Sequence, residues 1–119
     1  MKRKYQASKD IAEFDKERVN KELKLGYLNL SEHLFEQAKI NFLLALQFDS
    51  GCADAYWGLM LEKYKIANEE DLYQNPVKYK DIVYLNEYEQ AMAFADKDQK
   101  NAYNQLLERI YAIKEGENY

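Results

Sequence analysis

The sequence is short of everything that turns a chain sharply: one proline and four glycines in 119 residues. Many-stranded β folds need such residues at every hairpin, so their scarcity favours long helices. The single cysteine, Cys52, leaves no internal disulfide, and a reduced setting is the default for such a chain. No stretch approaches the ~20 apolar residues of a membrane span. The basic start, Lys2-Arg3-Lys4, lacks the apolar region of a signal peptide. The expectation is a cytoplasmic protein with no membrane partner. Excess positive charge is missing as well: the net charge is −4, whereas phosphate neutralisation requires a basic face. Lys2-Arg3-Lys4 reads as a solvated tail, and no nucleic-acid partner is expected.

One histidine and one cysteine also restrict the chemistry. His33 and Cys52 fall at opposite ends of an expected helix, which separates a nucleophile from its base. A zinc site would have to draw on two or more carboxylates. There is no glycine-rich phosphate loop. The densest acidic run, Glu69-Glu70-Asp71, reads as a solvated loop or a helix start, where carboxylates favour the dipole. No apolar pocket is evident to raise a carboxyl pKa. The expectation is no enzyme, no cofactor and no metal.

What the sequence has in abundance is apolar side chains at helical spacing. At this length they belong to one domain, residues 1–119. Ala12, Val19, Leu23, Gly26, Tyr27 and Leu30 share one face of a first helix over 10–30, with Ser8 as a candidate cap. A second helix over 34–47 carries Phe35, Ala38, Phe42, Ala45 and Leu46, and Asp49-Ser50-Gly51 turns the chain. A third helix over 53–66 carries Tyr56, Leu59, Met60 and Tyr64. Residues 67–85 break the rhythm. Asn68 is suited to cap a single helical turn, Asn75-Pro76 interrupts, and Tyr79, Ile82 and Tyr84 are expected to pin the connector down. Asn86 with Glu89 three residues on has the form of a capping box for a fourth helix. A last helix over 98–114 presents Ala102, Tyr103, Leu106, Leu107, Ile110 and Ile113, with Gly116 beyond its end.

The stretch from Val19 to Cys52 resembles one tetratricopeptide repeat (TPR). Leu25-Gly26 supply the Leu-Gly pair of the first helix, and Phe35, Ala38, Phe42 and Ala45 fall at the later offsets. Glu22 and Asn29 depart from the large residue and the tyrosine usual there, His33 stands at a turn position usually held by glycine, and Ser50 replaces proline. A degenerate second repeat starts at Ala53, and Tyr88, Ala91 and Ala95 resemble its shortened second helix. The resemblance implies an all-α fold of antiparallel helix pairs, 9–48 and 53–96 with the connector 67–85 inside the second. They would stack as a short right-handed solenoid closed by a capping helix over 98–114. The inserted connector also resembles repeat modules of bacterial proteins.

The resemblance implies a function as well: an adaptor or scaffold that binds another protein or peptide in a concave groove lined by the first helices. On this chain the groove would hold Asn20, Leu23, Lys24, Tyr27, Leu30, Asp54, Trp57, Gly58, Leu61 and Tyr64. Leu23 and Tyr27 stand where some members carry a carboxylate clamp, so an apolar, aromatic groove for a helix or hydrophobic peptide is expected. Trp57 suits an interface anchor, or else packs under the connector or the N-terminal helix. The alternative function is self-association, or a structural domain of a larger bacterial protein.

Overall fold

A computed structural model describes the backbone of residues 12–74 and 81–117, and the side chains of all these except 72, 73 and 110–117. The described residues are all-helical and contain no strand. The elements are α1 (Glu13–Ser31), α2 (Phe35–Phe48), α3 (Ala53–Lys63), the single turn α4 (Asp71–Gln74), a 3-10 turn (Ile82–Tyr84), α5 (Asn86–Phe94) and α6 (Lys97–Glu117). Ser8, Asn75, Pro76 and Tyr79 lie outside the described residues.

A three-residue link joins α1 to α2, so the two run antiparallel and pack closely. His33 makes the turn with a left-handed backbone, φ 64°. Its N–H donates to the Leu30 carbonyl at 3.0 Å, and the Leu34 N–H donates to that of Asn29 at 2.8 Å. This bond pair closes a helix over a left-handed residue, the place glycine favours. Helix α3 ends the same way three residues short of Ile66. Lys65 has φ 58°, its N–H donates to the Glu62 carbonyl at 2.9 Å, and that of Ile66 to Leu61 at 2.9 Å.

The core is organised around Phe42, which is fully buried. Its ring lies in a slot between Gly26 of α1 and Gly58 of α3. A Cβ on Gly26 would meet the ring at 2.5 Å, and one on Gly58 would collide with it too. Gly58, expected to line an open groove, is instead the second wall of this slot. Ala38 and Ala45, also fully buried, leave room for the neighbouring helices. The two departures in the repeat pattern answer each other across the α1–α2 seam. Asn29 Nδ2 donates to Asn41 Oδ1 at 2.7 Å, and Asn41 Nδ2 donates to Glu22 Oε2 at 2.9 Å. The two bonds make a polar ladder between α1 and α2.

Helix α3 is the centre of the molecule. It packs against α2 through Gly58 and Phe42, and against α5, where Tyr56 stacks on Phe94 with centroids 5.9 Å apart. The partner of α3 is therefore α5, and the connector runs between them. Asn68 Oδ1 accepts from the Asp71 N–H at 3.3 Å and starts α4. Ile82 is buried, but Tyr84 is 83% exposed and pins nothing. Val83 and Leu85 pack on the core in its place, because a 3-10 turn directs successive side chains about a third of a circle apart.

Two helix ends differ from expectation. Asn86 is already helical and makes no cap; Leu85 precedes α5 without a side-chain bond. The reciprocal box sits at α6 instead. Asp96 Oδ1 accepts from the Gln99 N–H and Gln99 Oε1 from the Asp96 N–H, both at 2.8 Å. At its far end α6 passes through Gly116 to Glu117, since a glycine inside a helix costs only ~1 kcal/mol.

Candidate functional site

Asp54 stands in the first turn of α3 and Trp57 one turn later, on the side that faces α6. Both are buried. The Tyr103 ring of α6 stacks on Trp57 with centroids 4.2 Å apart and planes 8° from parallel. Its hydroxyl donates to Asp54 Oδ1 at 2.5 Å, and the Gln99 amide donates to Oδ2 at 3.4 Å. From α1, the Tyr27 hydroxyl donates to the Asp54 carbonyl at 2.6 Å. Three helices thus meet at Asp54, α1 at its main-chain carbonyl and α6 at its side chain. The side-chain oxygens lie near the N-terminus of α3 and accept bonds from two groups of α6, which is what a buried polar group requires.

Beside this junction a cleft of about 470 Å³ remains open. Tyr27 and Leu30 of α1 and Leu61 of α3 form one side, and Gln105, Leu106 and Arg109 of α6 the other; the connector adds Glu69 and Glu70 to the rim. The size falls within the range of binding clefts, and the lining mixes apolar side chains such as Leu30, Leu61 and Leu106 with the charged Glu69, Glu70 and Arg109.

The residues expected to line the groove fall in different surroundings. Trp57 is fully buried and stacks on Tyr103 of α6, so it does not face solvent. Leu23 belongs to the core, and Asp54 and Leu61 are buried with it. Lys24 is exposed, while Asn20 and Tyr64 are half-buried. Burial raises the Tyr64 phenol above its ordinary value, and the charges of Asp81 and Glu87 add to the shift. Only Tyr27, Leu30 and Leu61 of the expected set reach the cleft. The α6 contribution was missed. Its signal was Asp96-x-x-Gln99, which marks where α6 starts and so aligns Gln99, Tyr103 and Leu106 on one stripe.

Among the described residues no group of three or more His, Cys, Asp or Glu side chains is placed to hold a metal ion, and no helix is long and apolar enough to cross a membrane. Cys52 is buried, and desolvation raises its thiol to about 12. No family model matches the chain, and neither does any curated protein or solved structure.

Proposed function

We propose that this chain is a protein-interaction module of the tetratricopeptide-repeat kind. In this reading α1–α2 and α3–α5 are two repeats of a short right-handed solenoid, and α6 is its cap. The module takes a helix or peptide of another protein, without catalysis, in a cytoplasmic setting. The observation that supports it best is the cleft of about 470 Å³. One wall comes from the first helix of each pair, Tyr27 and Leu30 on one and Leu61 on the other, the elements that carry partner contacts in such arrays; α6 forms the opposite wall. Apolar side chains on the floor supply affinity, and Glu69, Glu70 and Arg109 on the rim supply orientation.

The rim provides the test, because Glu70 and Arg109 are exposed and their replacement spares the core. Proteins retained by the immobilised chain are compared for wild type, for Glu70→Lys with Arg109→Glu, and for Lys39→Glu on the outer face of α2. A partner retained by wild type and by Lys39→Glu, but lost or weakened at least tenfold by the rim pair, supports the cleft. Equal retention by all three refutes it.

A further inference from the structure

We infer that α6 is a resident ligand of the groove, and that the partner is an amphipathic helix carrying the same code: a Gln, a Tyr four residues later, and a Leu pair three and four residues after that. This rests on the interaction-module reading and gives its partner a chemistry. Gln99, Tyr103, Leu106 and Leu107 fall at i, i+4, i+7 and i+8, so one helix face presents all four. All four have receptors on the rest of the chain: Asp54 takes the amide and the hydroxyl, Trp57 takes the ring, and the core takes the leucines. This is helix-in-groove recognition carried out within one chain.

The receptor side is built without α6. Asp54 is anchored through its carbonyl by Tyr27 of α1, α3 is locked by Phe42 against Gly58, and Tyr56 fixes α3 to α5 through Phe94. Only Ala95 and Asp96 link α5 to α6. The cleft beside Leu106 also shows that α6 does not fill its own groove. A helix with the same code but larger apolar side chains where α6 carries Gln105 and Arg109 makes contacts α6 lacks, which is the differential affinity needed to displace it.

The experiment uses the full chain and a synthetic peptide of the sequence 96–117, read by the fluorescence of Trp57, the only tryptophan. Tyr103→Ala removes the resident ring and Tyr103→Phe removes only its hydroxyl. Helix content is checked by circular dichroism, and the Phe variant decides if the Ala variant unfolds. The expected result is saturable binding of the peptide to the folded variants, at least tenfold tighter than to wild type. A peptide carrying Tyr103→Ala should bind at least tenfold more weakly. Absence of binding to a folded variant, or equal affinity for the two peptides, overturns the inference. If α6 proves immovable while a partner still distinguishes the rim variants, the interaction-module reading stands and this inference alone falls.

Discussion

Phe42 holds two glycines to their identity. Gly26→Ala gains helix propensity of ~1 kcal/mol, but overpacking in a closed core costs ~1–3 kcal/mol, so a net loss of up to about 2 kcal/mol is expected. In a Phe42→Leu background the obstructing ring is gone and the same substitution should be neutral or stabilising. A double-mutant cycle by chemical denaturation measures the difference. Gly26 was legible from the repeat spacing. Gly58 was not, because it stands two residues before Met60, which holds the glycine position of the second repeat, so no repeat spacing pointed to it. At Cys52 burial raises the thiol from 9.0 to about 12, so the folded state keeps it neutral where the unfolded chain ionises. The sign follows: this contribution is complete below pH 9 and is lost as pH rises toward 12, at ~1.4 kcal/mol per unit. Unfolding midpoints measured from pH 8 to 11 should fall less steeply in Cys52→Ala. The thiol of the native chain should react with an alkylating agent only at the rate of unfolding.

At the scale of elements, the ends decide more than the interiors. His33 is exposed, yet its φ of 64° makes the residue type matter. A β-branched side chain is a true outlier in that region, and His33→Val should cost about 1–2 kcal/mol. His33→Asn should be close to neutral, because asparagine tolerates the conformation. Equal thermal midpoints for the two variants would contradict this account of the turn. The helices themselves were readable from apolar periodicity, which depends on side chains three and four apart and on nothing distant. The start of α5 was misread for the opposite reason. Asn86 and Glu89 have the right spacing for a box, but Leu85 packs on the core and draws the helix start forward by one residue, while Asp96 and Gln99 form the box one helix later.

At the scale of the whole molecule, α6 changes what the surface offers. It covers Trp57, the largest of the fully buried side chains, and leaves the cleft next to Leu106. With that aromatic stripe closed, we expect the chain to sediment as a monomer at micromolar concentration. A concentration-dependent dimer would revive self-association through exposed apolar side chains such as Ile40 and Leu43.

The amino-acid order by itself determined the all-helical class, the end of α3 before residue 67, the close approach at Gly26 and the turn at His33. Each of these follows from sterics and periodicity within a few residues of chain. Which faces of α3 remain open was settled only in three dimensions. Trp57 and Asp54 lie more than forty residues from Tyr103 and Gln99, and their pairing requires α6 to fold back over α3. Helical spacing says which side chains share a face, but an apolar face meets whatever surface the rest of the chain brings to it, and that is decided by packing.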